Sequence, residues 1–159
     1  MKVVLDTSAI IYLQDFRKFK EIFTTDSVIH EVKDKITEMK LSAIKANVVE
    51  PRKKFVDKIK LAAKKTGDLE KLSKTDVEVL ALAKELKAIV ISDDRNVQNV
   101  AEKIGIEYIS LFSEKIKKLF VWKKYCPACK KYFGNELDKC PVCGSKLKRV
   151  PKKNQTTTR

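Results

Sequence analysis

The sequence contains few residues of several types. Among its 159 residues there are one histidine, four glycines and four cysteines. No run of about 18 apolar residues occurs, so no segment is long enough to span a membrane as a helix. The N-terminus predicts a strand with an early aspartate rather than a signal peptide, and we therefore expect an intracellular, cytoplasmic protein. The scarcity of histidine and glycine beside many lysines and glutamates fits a thermophilic source.

Positive charge is in large excess. Lysine and arginine number 35 against 21 acidic residues, which gives a formal net charge of +14. This balance predicts a polyanionic partner, and nucleic acid is a commoner one than an anionic membrane surface. Residues 121–159 alone carry 11 basic and two acidic side chains, and they also contain all four cysteines. The length and this uneven charge predict one domain of ordinary size followed by a small basic module.

In the first 111 residues, short apolar segments alternate with helical patterns. We predict strands at 2–5, 47–50, 88–92 and 107–111, with the unbroken apolar run 88–92 typical of a central parallel strand. Residues 28–30 fit either a helix or a short strand, because β-branched residues are dense there. The alternation predicts an α/β domain with a central parallel sheet.

Four acids stand where such a fold would bring them together. Asp6 and Asp94 follow predicted strands at their carboxyl ends, where open α/β sheets bind ligands. Asp76 lies in the first turn of a helix that is apolar almost all round, and Glu31 lies in another helix. Each of the aspartates has a plainer interpretation as a helix cap or a partner of the helix dipole. Glu31, taken alone, fits a surface residue.

Such a cluster needs a compensating charge. Two carboxylates about 5 Å apart repel by roughly 3 kcal/mol at an effective dielectric of about 20. We do not expect His30 to coordinate, and oxygen ligands favour Mg²⁺ or Mn²⁺ over zinc. Either ion suits phosphodiester hydrolysis, because it lowers the pKa of a bound water and neutralises charge on the phosphate. The pattern leaves open whether one ion or two bind. Thr7 and Ser8 either hold a metal-bound water or cap the first helix, and the cap is the preferred interpretation.

The cysteines form the pattern C-x2-C-x10-C-x2-C. They are Cys126, Cys129, Cys140 and Cys143. Four thiolates at this spacing predict one tetrahedral, structural Zn²⁺, with a disulfide pair or a redox couple as poorer alternatives. A module of about 30 residues buries too little apolar surface to fold alone, so we expect zinc to supply the missing stability.

Aromatic residues alternate with basic ones in this module. The rings are Trp122, Tyr125, Tyr132 and Phe133. Basic and aromatic side chains together suit RNA phosphates and stacked bases, although the same rings would also serve to fill a small core. We divide the chain into a nuclease-like domain at 1–111, a linking helix at 112–124, a zinc ribbon at 125–150 and a disordered basic tail at 151–159.

The acidic motifs resemble those of the PIN-domain ribonucleases. They read Val-Leu-Asp6-Thr-Ser-Ala, then Glu31, then Ser-Lys-Thr-Asp76-Val-Glu-Val-Leu-Ala, then Ile-Ser-Asp93-Asp94. The resemblance implies a three-layer α/β/α domain that cleaves single-stranded RNA, with Mg²⁺ or Mn²⁺ held by Asp6, Glu31, Asp76 and Asp94. Asp93 also lies in the fourth motif, but the family places its acid two residues after the Ser or Thr that ends the strand, which favours Asp94.

A PIN domain followed directly by a four-cysteine ribbon resembles the Nin-one-binding (NOB) family. The segment from Asp94 through Gln98 and Asn99 is also similar to that branch. The resemblance implies an endoribonuclease, in its short archaeal form, that matures the 3′ end of small-subunit (16S) rRNA on the maturing small ribosomal particle. Two alternatives stay open: a toxin-type PIN ribonuclease, and a non-catalytic RNA-binding factor of ribosome assembly.

Overall fold

The computed structural model describes residues 1–112 and 120–152, and a parallel sheet forms its larger part. The strands are β1 (Lys2–Leu5), β2 (Glu21–Thr24), β3 (Asn47–Val48), β4 (Ile89–Ile91) and β5 (Tyr108–Ile109), in the spatial order β3-β2-β1-β4-β5. The helices are α1 (Thr7–Tyr12), α2 (Asp26–Glu31), α3 (Lys35–Ile44), α4 (Lys53–Thr66), α5 (Lys74–Leu86) and α6 (Arg95–Ile104). The predicted α/β class with a central parallel sheet is confirmed.

Strand β1 is at the centre of this sheet, and both of its faces are covered. Val3 and Val4 are completely buried, and successive side chains of a strand point to opposite faces. Helix α5 packs against β1 and β4, and it buries Leu80 and Leu82 in the same core. Burial on both sides explains why the strand sequences are continuous apolar runs rather than alternating ones.

The strand order places the first and fourth strands side by side. From β1 the chain moves outward to β2 and β3, and it then returns to the other side of β1 as β4 and β5. Leu5 at the end of β1 is in register with Ile91 at the end of β4. The residues that follow these two strands therefore meet at the switch point of the sheet, where open α/β folds bind their ligands.

Two details differ from the sequence-based prediction. Strand β2 was not predicted, because its four residues alternate between buried and half-buried positions next to a charged segment. Residues 28–30 belong to α2, so the alternative of a strand there is wrong.

The four-cysteine segment forms a separate antiparallel sheet. Its strands are β6 (Trp122–Cys126), β7 (Lys131–Phe133) and β8 (Lys148–Pro151), in the order β7-β6-β8. We refer to residues 122–151 as the ribbon. The linking helix predicted at 112–124 is wrong over 122–124, which begin β6, and 113–119 lie outside the described residues. Pro151, assigned to the tail, instead pairs with Trp122, while 153–159 lie outside the described residues. No helix in the described ranges is long and apolar enough to cross a membrane.

The core predicts a sharp contrast between two leucines. Leu82 on α5 is completely buried, whereas Leu61 on α4 is 57% exposed. We expect Leu82→Ala to lower the free energy of unfolding by about 2–5 kcal/mol, because it removes buried methyl groups and leaves a cavity. Leu61→Ala is the matched control and should change it by less than about 0.5 kcal/mol. Urea unfolding followed by circular dichroism measures both, and equal losses would contradict this core.

Candidate active site and metal centre

Asp6 lies at the switch point and caps helix α1. Its Oδ1 accepts hydrogen bonds from the Ala9 backbone N–H at 2.6 Å and from Ser8 Oγ at 2.8 Å. The residue is only 8% exposed. Burial raises the pKa of its carboxyl group; hydrogen bonds from Ser92, Ala9 and Ser8 oppose the rise, and the charge of Asp76 adds to it. The net effect is a raised pKa, because the fold removes the ionised carboxylate from water.

Asp76 interacts electrostatically with each of the other three predicted acids. It forms a capping box at the start of α5: its Oδ2 accepts from the Ser73 backbone N–H at 2.7 Å, and its own N–H donates to Ser73 Oγ at 3.1 Å. Burial raises its pKa despite these hydrogen bonds, and repulsion from Asp94 and from Glu31 raises the pKa further. Together with its effect on Asp6, Asp76 links all four predicted acids electrostatically.

The other two acids are exposed and are held at one oxygen each by described hydrogen bonds. Asp94 caps α6, and its Oδ1 accepts from the backbone N–H groups of Asn96 at 2.6 Å and Val97 at 3.2 Å. Glu31 ends α2, and its Oε2 accepts from Thr7 Oγ1 at 2.5 Å. Thr7, which follows Asp6 in sequence, therefore orients the carboxylate of Glu31 at the end of α2.

The cap interpretation and the cluster interpretation turn out to be compatible. Asp6 and Asp94 do cap α1 and α6, and Asp76 completes the capping box of α5, whose N-cap is Ser73. The N-termini of these three helices bring the acids to one edge of the sheet. The preferred interpretation of Thr7 and Ser8 as caps is wrong, because Asp6 caps α1. Their hydroxyl groups instead donate to Glu31 and Asp6 and orient these carboxylates.

Asp93 has a different position from its neighbour. Its Oδ1 accepts from Ser110 Oγ at 2.5 Å, from the Leu111 N–H at 2.9 Å and from the Phe112 N–H at 3.0 Å. These hydrogen bonds hold the segment that follows β5. Asp94, in contrast, repels Asp76, so the geometry favours Asp94 over Asp93 as the fourth acid of the cluster.

The acids are near enough to repel each other without forming a closed set of ligands. Within residues 1–112 and 120–152, the four cysteines are the only group of three or more potential ligands whose atoms all lie within 4.8 Å of one another. The carboxylates interact mainly through their charges. A divalent cation among them would remove that repulsion, and hard oxygen donors are the ligands that Mg²⁺ and Mn²⁺ prefer.

Sequence reasoning missed a contact that joins two of the acid-bearing helices. Ser27 Oγ on α2 donates to Glu78 Oε2 on α5 at 2.5 Å. This contact links the helix of Glu31 to the helix of Asp76. The available signal was a carboxylate two residues after Asp76 on an otherwise apolar helix, and that spacing places Glu78 on another side of the helix from Asp76.

The four cysteine thiols converge in the ribbon. Cys126 Sγ lies 3.5 Å from Cys143 Sγ, and Cys140 Sγ lies 3.9 Å from Cys129 Sγ. A disulfide needs about 2.05 Å between sulfurs, and all four thiols are free. The two knuckles repeat the same turn: the residue after the second cysteine has a left-handed backbone in both, at Lys130 (φ 55°) and Gly144 (φ 73°).

The thiols also perturb one another. Hydrogen bonding among the sulfurs, chiefly with Cys143, raises the pKa of Cys129 to about 12, and hydrogen bonds from Ser145 lower the pKa of Cys143 to about 6. Sulfurs as close as 3.5 Å would repel each other as thiolates, and a cation among them would relieve that repulsion. Four sulfur donors of this kind fit tetrahedral Zn²⁺.

Comparisons with known proteins agree with this architecture. A family model described as the PIN domain of ribonuclease matches residues 3–86. The chain is 43% identical to endoribonuclease Nob1 of Pyrococcus abyssi over 163 residues, 98% of each chain. It is 42% identical to endoribonuclease Nob1 of Methanocaldococcus jannaschii over 94% of this chain and 78% of that one. It is also 32% identical to ribonuclease VapC1 of Thermoplasma acidophilum over 100% of this chain and 83% of that one.

The fold, the acids at the switch point and the family model define a PIN-domain ribonuclease. Within that class, the near end-to-end similarity shows that the chain belongs to the Nob1 endoribonuclease family. The prediction of an endoribonuclease with a PIN domain and a C-terminal four-cysteine module is thereby confirmed.

The raised pKa of Asp6 predicts that this acid destabilises the folded chain. A carboxyl group whose pKa is higher in the fold than in the unfolded chain lowers stability at neutral pH, and the loss is relieved as the pH falls through the folded-state value. Asn caps helices as well as Asp, so Asp6→Asn should raise the melting temperature at pH 7 without added Mg²⁺ or Mn²⁺. Added Mg²⁺ should stabilise the wild type and leave the variant unchanged.

Asp34→Asn is the matched control for this measurement. Asp34 caps α3 and accepts from the Thr37 N–H at 2.9 Å, and hydrogen bonds from Thr37 lower its pKa. Its ionised form is therefore favoured by the fold, and the substitution should leave the melting temperature unchanged or reduce it. Calorimetry that found the same shift for both variants would contradict a raised pKa at Asp6 that comes from burial, with repulsion from Asp76 adding to it.

Metal loss should unfold the ribbon and leave the parallel sheet intact. Zinc binding in small modules contributes roughly 10–16 kcal/mol, and the ribbon core otherwise contains little more than Leu147 and part of Phe133. We expect one zinc per chain by elemental analysis, and none in Cys140→Ser. Ser145→Ala, which alters only a hydroxyl group beside Cys143, should retain the zinc. A Cys140→Ser variant with an ordered ribbon in NMR spectra would contradict this role.

Proposed function

We propose that the chain is a divalent-metal-dependent endoribonuclease that cleaves single-stranded precursor rRNA and matures the 3′ end of small-subunit (16S) rRNA. The observation that carries the proposal is the set of mutually repelling acids at the switch point of a chain that belongs to the Nob1 family. The two relatives named Nob1 above are described as endoribonucleases, and the excess of positive charge supports a polyanionic substrate.

Asp6, Glu31, Asp76 and Asp94 would hold Mg²⁺ or Mn²⁺. The described hydrogen bonds use one oxygen of Glu31, of Asp76 and of Asp94, so a second oxygen of each carboxylate remains for a metal. When bound, the ion would lower the pKa of a water and neutralise charge on the scissile phosphate. The chain contributes orientation: three helix N-termini fix three acids, and their partial positive charge also favours an approaching phosphate.

The ribbon offers a surface for RNA. Tyr132 is 59% exposed, and it lines a shallow cavity of about 440 Å³ together with Lys123, Phe133 and Lys152. An exposed ring that lines the same cavity as two lysines suits a stacked base with its flanking phosphates. The other rings pack within the protein: Phe133 lies on the ribbon core, Trp122 lies 4.1 Å from the guanidinium of Arg149, and the ring of Tyr125 lies 5.0 Å from that of Tyr132.

This function would place the protein on the maturing small ribosomal particle in the cytoplasm. A toxin-type ribonuclease is the second candidate, supported by the similarity to a relative named ribonuclease VapC1. Processing is favoured because the chain is 43% and 42% identical to the two relatives named Nob1 and only 32% identical to the one named VapC1. Growth arrest on expression, relieved by a neighbouring antitoxin gene, would favour the toxin.

Cleavage itself is tested by removing one acid without removing its cap. We expect Asp94→Asn to retain the fold, because Asn caps α6 equally well, and to reduce cleavage by at least about 100-fold, as the loss of one preorganised charge does in other active sites. The assay uses precursor rRNA that spans the mature 3′ end, with Mn²⁺. Asp34→Asn exchanges the same atoms at the cap of α3 and should cleave like the wild type. Full activity in Asp94→Asn would remove Asp94 from the catalytic site, and a wild type that cuts no RNA would leave a non-catalytic RNA-binding factor as the better interpretation.

Base stacking on the ribbon is tested at Tyr132. A stacked base contributes about 1–3 kcal/mol to binding, so Tyr132→Ala should raise the dissociation constant for single-stranded RNA by roughly 5- to 150-fold. Tyr132→Phe retains the ring and should bind like the wild type. Fluorescence anisotropy at fixed salt measures both, and equal affinities for the alanine variant and the wild type would remove Tyr132 from the RNA surface.

A further inference from the structure

The ribbon lies directly against the turn between α4 and α5. Gly67 ends α4 with a left-handed backbone (φ 77°), which disfavours any residue with a side chain. A Cβ at this position would lie 2.7 Å from the Trp122 carbonyl oxygen and 2.8 Å from Trp122 Cβ. The strand β6 therefore approaches the nuclease domain so closely that only glycine fits between them.

Beside this glycine, the two parts of the chain share an ion pair whose acid is buried and whose arginine is half-buried. Asp68 is completely buried, and its Oδ1 accepts from Arg149 Nη2 at 2.6 Å. The same nitrogen donates to the Gly67 carbonyl oxygen at 3.1 Å, and the guanidinium lies over the ring of Trp122. Breaking a buried pair by removing one partner leaves an uncompensated charge, so Arg149 of the ribbon and Asp68 of the nuclease domain stabilise each other's position.

A third contact comes from helix α6. Asn99 is buried, and its Nδ2 donates to Asp68 Oδ2 at 2.6 Å and to the Phe120 carbonyl oxygen at 2.8 Å. Its Oδ1 accepts from the Phe120 N–H at 2.8 Å. Asn99 thus satisfies both backbone groups of the residue that leads into β6. It does so from the helix whose N-terminus is capped by Asp94.

We propose that these contacts dock the ribbon on the nuclease domain in one orientation, and that this orientation selects the phosphodiester bond that is cut. The dock consists of Gly67, Asp68, Asn99, Trp122 and Arg149. A ribbon that is fixed by the dock holds bound RNA at one offset from the acids, whereas a freely tethered ribbon would allow many offsets. Selection of the bond rests on the proposed endoribonuclease function, while the docking itself does not.

The docking is tested by NMR relaxation of the zinc-loaded full chain. In the wild type, backbone amides of the ribbon and of the parallel sheet should report one common tumbling time. Gly67→Ala should release the ribbon, which then tumbles faster than the sheet. Gly105→Ala is a matched control: Gly105 also ends a helix with a left-handed backbone (φ 66°), but nothing lies within 4 Å of its added Cβ.

Separate tumbling in the wild type, or equal tumbling in Gly67→Ala and Gly105→Ala, would overturn the dock. Asn99→Ala provides a second variant if Gly67→Ala fails to fold, since it removes three of the hydrogen bonds at the dock without backbone strain. One zinc per chain in each variant shows that the ribbon itself remains folded. Asn99→Ala should then release the ribbon, and a common tumbling time in that variant would count against the dock.

Selection of the bond is tested by mapping cleavage products to the nucleotide. On precursor rRNA, Gly67→Ala and Asn99→Ala should replace one dominant product with several neighbouring ones, while Gly105→Ala retains the single product. On a short oligonucleotide that cannot reach the ribbon, all variants should cut at rates within about twofold of the wild type, because the acids are unchanged. An unaltered product pattern from a released ribbon would overturn the positioning role. A wild type that cuts no RNA would overturn the proposed function and the positioning role with it, and the tumbling times would still decide the dock.

Discussion

Burial of carboxylates beside one another at one edge of a sheet is the constraint on which the arrangement of the acids depends. Asp6 and Asp76 occupy buried and half-buried positions, where burial raises their pKa values and repulsion from neighbouring acids raises them further. Three helix N-termini hold the acids there, because backbone N–H groups at the start of a helix donate hydrogen bonds to a carboxylate. Hydrogen bonds at the helix N-termini therefore stabilise the clustered carboxylates, and a bound cation would neutralise the charge that remains.

Much of this arrangement could be predicted from sequence, because it depends on local patterns. The apolar run before Asp6 and the run before Asp94 identify two buried strands, and parallel strands end at a common edge. The cysteine spacing is equally local, since each pair wraps its own turn. What could not be predicted depends on partners distant in sequence. The hydrogen bond from Thr7 to Glu31 spans 24 positions, and no local pattern around either residue indicates it.

The segment that follows Asp94 illustrates the same limit. Gln98 and Asn99 stood out only as part of a resemblance, with no physical reason for two amides inside a helix. The structure supplies one for each: Gln98 Nε2 donates to the Ser92 carbonyl oxygen at 3.0 Å and so secures the end of β4, while Asn99 binds the chain that enters the ribbon. Both side chains are buried, which is why amides rather than charged groups occupy these positions.

The narrow space at Gly67 also restricts how such chains can be recombined. Zinc ribbons are self-contained when judged by their metal site alone, and they look like modules that could be exchanged between relatives. Here, however, the turn after α4 leaves no room for a Cβ at Gly67 beside the first strand of the ribbon. A ribbon transferred to another nuclease domain would have to be transferred together with that turn and with Asp68. The two parts of this chain can therefore be exchanged only as a pair.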